Sequence, residues 1–457
     1  MLRLTEQQVS GKVNYIKEYL QAQNAADGSK MDANANVTQK NIATLEAELM
    51  KDFFVQVNRK QVSNKIAELF DGDLANEYVR QIEDHEIYVH DETSLKPYCV
   101  SVTMYPFLRD GLTKLGGESL APQHLESFCG TFVNFVFAVS SQFAGAVATV
   151  EFLTYFDYFA RKDYGDDYLT THRHEIENHL QHVVYALNQP AAARGYQSVF
   201  WNISIYDQHY FESMFGDFVF PADFTKPQWH SVSALQDFFL GWFNKEREKT
   251  ILTFPVVTVA MLTDDGQCKD QAFAKKMAAE LAQGNSFFIY LSDNADSLAS
   301  CCRLRNEISD NTFSYTLGAG GVATGSINVI TLNMNRLIQD GRDLEEEVQK
   351  IHKYQVAYRQ MMDEYKAAGL LTVYDAGFIS LDKQFLTIGI NGMAEAAESQ
   401  GITVGNNADY KDFVQTHLKT IYDANKAAKK EYGYLFNTEF VPAENLGVKN
   451  AKWDKAD

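Results

Sequence analysis

The pattern of hydrophobic and polar residues changes along the chain near residue 95. Apolar side chains recur at helical spacing in 41–54 and 62–70, so the region 1–95 is predicted to be mainly helical. Beyond it, short apolar runs typical of strands alternate with long stretches typical of helices. This alternation predicts an α/β fold with a mostly parallel sheet over 96–457.

The expected elements of this second region follow from the same pattern. A long apolar stretch with small residues, 128–159, is predicted to be a buried helix. The predicted strands are 96–108, 251–262, 286–291, 326–332 and 387–390, and the further predicted helices are 232–248, 271–283, 344–368 and 410–430.

Composition narrows the class of protein. The chain has 457 residues, of which 46% are hydrophobic and 13% aromatic, as expected of a folded globular protein. A formal net charge of −19 argues against binding to nucleic acid or to an anionic membrane, because both need clustered Lys and Arg. The sequence contains neither a membrane-spanning apolar run nor a signal peptide, so a cytoplasmic location is predicted.

Five cysteines are the first candidates for chemistry. Their number is odd and small for this length, which argues against a secreted disulfide framework, and the lack of a C-x-x-C pair predicts no metal site of that kind. Cys301 and Cys302 are adjacent and are followed by Arg303 and Arg305, cations that can lower a thiol pKa or hold phosphate. Taken alone, the pair is equally compatible with two small core residues.

Seven sequence blocks, in order along the chain, resemble the anaerobic (class III) ribonucleoside-triphosphate reductases. They are YVHD at 88–91, YCVSVT at 98–103, SQFAGAVAT at 141–149, NQPAAARG at 188–195, QSVFWN at 197–202, CCRL at 301–304 and EFVPAEN at 439–445. The resemblance runs from about residue 40 to the last residue. It implies a ten-stranded α/β barrel of two five-stranded halves with a central finger loop, preceded by the N-terminal helices.

The resemblance also implies where the radical chemistry takes place. It puts the adjacent cysteines at the tip of the finger loop, with Cys302 as the thiyl-bearing residue and Cys301 as the second choice. The implied step is abstraction of the ribose 3′-hydrogen, after which the 2′-hydroxyl leaves as water. Cys99, on the first barrel strand, would face the thiyl and take part in reduction, with formate as the implied reductant. A buried core cysteine is the alternative for Cys99.

Further residues are expected to bind substrate. Ser198 and Asn202, with Gln197 beside them, are short polar groups among apolar ones, a pattern that suits ligand orientation but also satisfies buried backbone. Asn328 and Asn333 are candidates for amide contacts near the formate position.

The family resemblance places the loop that contains Glu439 and Glu444 at the substrate phosphates. A carboxylate repels phosphate, so the contacts are expected from the backbone N–H groups of Ala443, Glu444 and Asn445. A capped helix start at Pro442 is the compatible alternative.

The sequence departs from the family pattern at its C-terminal end. Residues 450–457 come before any Arg-Val-Cys/Ser-Gly-Tyr-like loop and before the four-cysteine zinc site that usually precedes it. We therefore expect a split or truncated reductase that needs a glycyl-radical segment in trans. Zinc is expected only in that missing segment. The N-terminal region is too short for the ATP-binding module of many relatives.

The expected partners follow from the same resemblance. They are NTP substrates, dNTP effectors bound near residues 100–180 at the interface of a homodimer, a radical-SAM activating enzyme and a separate chain that carries the glycyl radical. Two alternatives stay open at this point. One is a glycyl-radical acyltransferase resembling pyruvate formate-lyase, and the other is a non-catalytic nucleotide-binding remnant.

Overall fold

The computed structural model describes residues 4–21, 41–191, 197–293, 323–440 and 446–456. Its helices are α1 (Glu6–Gln21), α2 (Ile42–Leu69), α3 (Gly72–Glu83), α4 (Tyr105–Asp110), α5 (Leu125–Ser140), α6 (Phe152–Tyr164), α7 (Tyr168–Thr171), α8 (Arg173–Leu187), α9 (Gln208–Phe215), α10 (Trp229–Lys249), α11 (Gln271–Ala282), α12 (Met334–Gln339), α13 (Leu344–Ala367), α14 (Thr372–Asp375), α15 (Met393–Ser399), α16 (Ala408–Tyr432) and α17 (Leu446–Ala456). Its strands are β1 (Ile87–Val89), β2 (Cys99–Ser101), β3 (Val147–Ala148), β4 (Pro190–Ala191), β5 (Gln197–Ser198), β6 (Trp201–Tyr206), β7 (Val256–Asp264), β8 (Gln267–Cys268), β9 (Phe288–Ser292), β10 (Thr324–Asn333), β11 (Gln384–Asn391) and β12 (Leu435–Glu439).

One sheet of ten strands forms the centre of the molecule. Strands β2, β3, β6, β7 and β9 are parallel neighbours in that order and make up a five-stranded half. Strands β10, β11 and β12 form a second parallel group, and β10 joins the two groups by running antiparallel to β2. The predicted α/β class, ten-stranded sheet and preceding helices are confirmed. Within the described ranges, β9 and β12 do not pair, so the sheet is open there.

Strand β6 shows how sequence alternation creates two different faces. Trp201, Ile203 and Ile205 point to one face, and Asn202 and Ser204 point to the other, because successive side chains of a strand alternate. All of them are buried, so both faces of the sheet are covered. The apolar face packs against helices, as the indole of Trp201 lies 5.3 Å from a phenyl ring of α6, centroid to centroid.

Two predicted elements are wrong in extent, and the reasons are local. The predicted strand 96–108 shortens to β2, because Pro106 lies in the first turn of α4, where a missing N–H costs nothing. The predicted helix 128–159 is divided into α5 and α6 by a turn at Gly145 and by β3. In the part of the chain that the structure describes, no helix has the length and apolar character needed to cross a membrane.

A buried network of charges fixes α3 against α13. Three carboxylates, those of Glu77, Glu86 and Glu347, come within 4.8 Å of one another. Arg80 donates to Glu77 at 2.7 Å and to Glu86 at 2.9 Å, and Lys350 donates to Glu347 at 3.0 Å. Because cations offset the mutual repulsion of the carboxylates, this cluster is an ion-pair network.

The network makes stability depend on pH. The hydrogen bond from Arg80 lowers the pKa of Glu77 to about 2. Its folded pKa is therefore below the unfolded one, so its contribution is present above the unfolded pKa and is lost as pH falls toward 2. We expect Glu77→Gln to lower the free energy of unfolding by roughly 1 kcal/mol at neutral pH, after allowance for solvent screening.

This difference should shrink as pH falls from about 4.5 toward 2, measured by denaturant unfolding at each pH. Glu83→Gln, on the exposed side of the same helix, is the matched control and should change little at any pH. An equal loss for Glu77→Gln at acid and neutral pH would contradict this assignment.

Candidate active site

Cys99 lies at the start of β2, where the two groups of strands meet. Its side chain is 1% exposed, and its Sγ accepts a hydrogen bond from the Ala146 backbone N–H at 3.3 Å. The Cys99 carbonyl accepts a bond from Nε2 of Gln384 at 3.2 Å, and Ser326 on β10 is its partner in the antiparallel register. The backbone on both sides therefore holds the thiol in one place.

Two glycines allow this close packing. A Cβ atom on Gly145 would lie 2.6 Å from the Cys99 Sγ, and one on Gly325 would overlap the Cys99 carbonyl. Both positions need a residue without a side chain, because a side chain would have to displace the cysteine. The block SQFAGAVAT thus contains a residue whose role is to make room for the thiol.

Cys99 belongs to a row of small and polar side chains that we call the polar face of the sheet. Ser101 follows two positions along β2, and the register places Ala148 opposite both Ser101 and Asn202. Thr258 of β7 lies opposite Ser204. The polar face therefore consists of Cys99, Ser101, Asn202, Ser204 and Thr258. Such groups are costly to bury, so a ligand-binding role is a reason to keep them.

Asn202 is the predicted substrate residue that the structure places on the polar face. Its Nδ2 donates to Oγ1 of Thr258 at 3.1 Å. Its Oδ1, like the hydroxyl of Ser101, is buried without a hydrogen-bond partner among the described residues. Ser198 differs, because its hydroxyl donates to the backbone carbonyl of Asn188 at 3.2 Å. Its observed role is to satisfy buried backbone.

The two asparagines of β10 lie in different environments. Asn328 is 4% exposed and opposite Leu386, and its Oδ1 finds no partner within the described ranges. Asn333 caps α12 by accepting from the Arg336 N–H at 3.4 Å. It lies seven residues beyond Ser326, roughly 23 Å along the strand, so the structure does not bring it to Cys99.

Glu439 is a buried carboxyl that sequence reasoning assigned only to the edge of the phosphate loop. It ends β12 and is 6% exposed, and its Oε1 accepts from Nδ2 of Asn437 at 3.1 Å. Burial raises its pKa well above the ordinary value, and the negative charge of a Cys99 thiolate raises it further. The shift favours the protonated form of Glu439, and its carboxyl and Cys99 influence each other's charge.

A pattern in the sequence points to this carboxyl. Asn437 and Glu439 alternate along a short strand, so their side chains share one face. The pairing of β12 with β11 turns that face toward Thr387, which is fully buried. Because this strand pairing joins distant parts of the chain, the spacing of residues in the sequence did not reveal the position of Glu439.

The remaining candidates cannot be placed. Five of them lie outside the described ranges, namely Cys301, Cys302, Ala443, Glu444 and Asn445.

The other two cysteines have no place in the site. Cys129 is a core residue of α5, and burial raises the pKa of its thiol far above the usual range. Cys268 lies half-buried in the β7–β8 hairpin.

Solved structures with the same architecture are anaerobic ribonucleotide reductases. The Thermotoga maritima enzyme with citrate in the active site is 27% identical with a TM-score of 0.83, and the match covers 98% of this chain and 80% of that one. The same enzyme in complex with dATP and CTP is 27% identical with a TM-score of 0.84, over 100% and 79%. Another anaerobic ribonucleotide reductase is 30% identical with a TM-score of 0.84, over 98% and 71%.

These likenesses define the α/β architecture of an anaerobic ribonucleotide reductase, and a sequence model identifies the family. The model of the anaerobic ribonucleoside-triphosphate reductase family matches residues 46–457. The chain belongs to this family. No significant match is found among curated proteins. Membership favours the reductase over the acyltransferase alternative.

The space around Cys99 can be tested at Gly145. We expect Gly145→Ala to lower the free energy of unfolding by about 1–3 kcal/mol, because the new methyl group overlaps the Cys99 sulfur and crowds the Tyr98 carbonyl. Denaturant unfolding measures this change.

Gly130→Ala is the matched control for this substitution. Gly130 lies within α5, and a Cβ there meets no atom within 4 Å. Alanine should be neutral or stabilising by about 0.5–1 kcal/mol, because glycine weakens a helix interior. Equal effects at the two positions would show that Gly145 is not a packing constraint.

Proposed function

We propose that the protein reduces ribonucleoside triphosphates to deoxyribonucleoside triphosphates by thiyl-radical chemistry. Family membership supports the reaction class. The observation that carries the assignment to this chain is a buried thiol on the polar face, Cys99, that acts electrostatically on a buried carboxyl, Glu439. A thiol and a buried carboxyl whose raised pKa favours the protonated form would supply what the reduction of a ribose needs after hydrogen abstraction, a hydrogen donor and a proton donor.

In this proposal each residue has a separate task. Cys302, with Cys301 as the second choice, bears the thiyl that takes the 3′-hydrogen. The protonated Glu439 gives its proton to the 2′-hydroxyl, which leaves as water, and Cys99 delivers hydrogen to the 2′-carbon. Loss of the 3′-hydroxyl proton leaves a ketone at the 3′-carbon. Formate gives its hydrogen atom to the Cys99 sulfur, and the CO₂ radical anion that remains passes its electron to this ketone and leaves as carbon dioxide. The ketone oxygen takes up a proton, Cys302 returns hydrogen to the 3′-carbon and becomes a thiyl again, and solvent reprotonates Glu439.

Substrate contacts in the proposal include both observed and unplaced residues. Asn202 is the best supported, because its side-chain oxygen on the polar face has no partner among the described residues. The same is true of the Asn328 side-chain oxygen within those ranges. Ser198 and Asn333 would act through the backbone carbonyls to which they donate, those of Asn188 and His85. Backbone N–H groups of the loop formed by Ala443, Glu444 and Asn445 would hold the phosphates.

The raised pKa of Glu439 favours formate as the reductant, because it favours a neutral carboxyl. An ionised carboxylate beside Cys99 would repel the formate anion, whereas a neutral one does not. Formate use is therefore expected to weaken as pH rises and Glu439 ionises.

The radical itself requires further components. A glycyl radical supplies the unpaired electron that generates the thiyl, and we propose that it lies outside these 457 residues, with its zinc site, in the same polypeptide or a separate one. A radical-SAM enzyme would generate it. We further propose a cytoplasmic homodimer with dNTP effectors bound near residues 100–180, since a relative has been crystallised with dATP and CTP.

Cysteine variants test the division of tasks. With the protein assembled with a glycyl-radical segment and activated under anoxia, Cys302→Ser should reduce dNTP formation to background. Cys99→Ser should do the same without loss of the glycyl EPR doublet, because Cys99 acts after the radical is stored. Cys268→Ser, in a surface hairpin, is the control and should keep both signals.

Failure of the unaltered, fully activated mixture to form any dNTP would leave a nucleotide-binding protein without reductase activity. Full activity of Cys99→Ser would remove Cys99 from the reaction while leaving the reductase assignment intact.

The reductant can be tested with isotopically labelled formate. We expect one labelled carbon dioxide per dNTP, and a KM for formate that rises with pH as Glu439 loses its proton. Glu439→Gln, which stays neutral, should make the formate KM independent of pH even if turnover falls. Formation of dNTP with a dithiol and without formate would overturn formate as the reductant.

A further inference from the structure

A continuous chain of hydrogen bonds leads from the residue opposite Cys99 to Glu439. The hydroxyls of Ser326 and Thr387 are 2.8 Å apart, and Thr387 donates to Oδ1 of Asn437 at 2.8 Å. Asn437 then donates from Nδ2 to Oε1 of Glu439 at 3.1 Å. The chain crosses β10, β11 and β12, one side chain from each of the first two strands and two from the third.

Strand pairing does not require these side chains. The backbone ladder between β10 and β11 and between β11 and β12 is formed by N–H and C=O groups whatever the side chains are. Ser326 and Thr387 are nevertheless 1% and 0% exposed. A hydroxyl that is buried costs free energy unless it is hydrogen-bonded, so a valine at either site would be the simpler solution for packing alone.

The donor-to-acceptor direction of these hydrogen bonds fixes the orientation of the Glu439 carboxyl. The Thr387 hydroxyl has one proton and gives it to Asn437, so in a hydrogen bond with Ser326 it can only be the acceptor. The Ser326 hydroxyl also reaches the carbonyl oxygens of Asn328 at 3.1 Å and Phe385 at 3.4 Å, so the direction is fixed from Thr387 onward. The Asn437 carbonyl oxygen is thereby occupied, and its NH₂ group is turned toward Glu439. Oε1 of Glu439 must then act as an acceptor, and a proton on the carboxyl is carried by Oε2.

We propose that Ser326, Thr387 and Asn437 are positioning residues that orient the Glu439 carboxyl, with Oε1 held as the acceptor and Oε2 left to carry the proton that is exchanged with substrate. The proposal rests on the proposed function. The O–H bond at Oε2 breaks as the proton passes to the leaving 2′-hydroxyl, and the resulting carboxylate keeps the hydrogen bond from Asn437. Solvent returns the proton at Oε2.

The neighbours of Glu439 support this assignment. Among the described residues, Cys99 on β2 is the titratable group that acts on its charge. Strand β11 contributes Thr387 and Gly389, both uncharged, and Gly389 is the register partner of Glu439. The Asn437 amide is the hydrogen bond that favours the ionised form, and burial opposes it. Loss of the amide contact should therefore raise the pKa of Glu439 further.

Thr387→Val tests the chain, because it removes the hydroxyl and keeps the shape. Infrared titration of the 457-residue protein, with Glu439→Gln to identify the band, follows the Glu439 carboxyl without any need for turnover. We expect the protonated band to persist to higher pH in Thr387→Val, by about one pH unit, which is about tenfold in the protonation equilibrium. Thr387→Ser should restore the wild-type titration.

Thr438→Val is the matched control on β12. Its hydroxyl accepts from Asn425 of α16, on the side of the strand away from Glu439. It should lower stability without moving the Glu439 titration. If Thr387→Val and Thr438→Val both leave that titration unchanged, Thr387 has only a structural role and the proposal falls.

Activity separates this proposal from the proposed function. In the activated enzyme, Thr387→Val should lower turnover about tenfold and move the pH profile in the same direction as the infrared titration. A shifted titration in a protein that makes no dNTP even as wild type would keep the positioning chain and reject the reductase. If Thr387→Val has normal turnover and an unchanged pH profile, the hydrogen-bond chain has no positioning role, while the reductase assignment stands.

Discussion

The site depends on the antiparallel pairing of β2 with β10. Only three residue pairs join these strands, yet they connect the five-stranded group to the group of β10, β11 and β12. The pairing sets Ser326 opposite Cys99, and it requires glycine at position 325, where a side chain would overlap the Cys99 carbonyl. Because the seam is this short, the position of the thiol relative to Glu439 depends on a few close backbone contacts.

The β2–β10 pairing fixes the position of Cys99, and the side chains that share its face of the sheet determine the chemistry of the site. A sheet buried on both faces is usually apolar on both, as the parallel strands of α/β proteins are. Here one face keeps Ser101, Asn202 and Thr258, while Trp201 and Ile203 of the other face pack against helices. The polar face costs stability, and part of that cost is offset by hydrogen bonds between neighbouring strands, such as the one from Asn202 to Thr258.

Features of the fold and site that depend on residues close together in the sequence could be predicted from it, and features that depend on contacts between distant residues could not. The α/β class, the N-terminal helices and the strand that contains Cys99 followed from periodicity and from ordered sequence blocks. The division of 128–159 did not, because the turn at Gly145 packs against the sulfur of Cys99, a contact between residues that are distant in the sequence. Asn202 and Asn333 looked alike in sequence, yet one reaches the polar face and the other caps a helix.

Glu439 was the least predictable member of the site, for the same physical reason. Its role arises from β12 pairing with β11 and β11 pairing with β10, and these contacts join residues that are far apart in the chain. Sequence spacing reports on neighbours along a helix or strand, and it contains little about which strands lie side by side.

A comparison with a second buried carboxyl shows why Glu439 is suited to chemistry. Glu151 is equally buried, and burial raises its pKa to about 8, but it accepts from the backbone N–H of Met104 at 2.6 Å and from the hydroxyl of Thr103. Glu151 thereby holds the backbone just before α4, and a proton transfer there would disturb a backbone contact. Glu439 is held by the side chain of Asn437, so its charge can change without a demand on the main chain. A carboxyl that must gain and lose a proton in each turnover is best held in this second way.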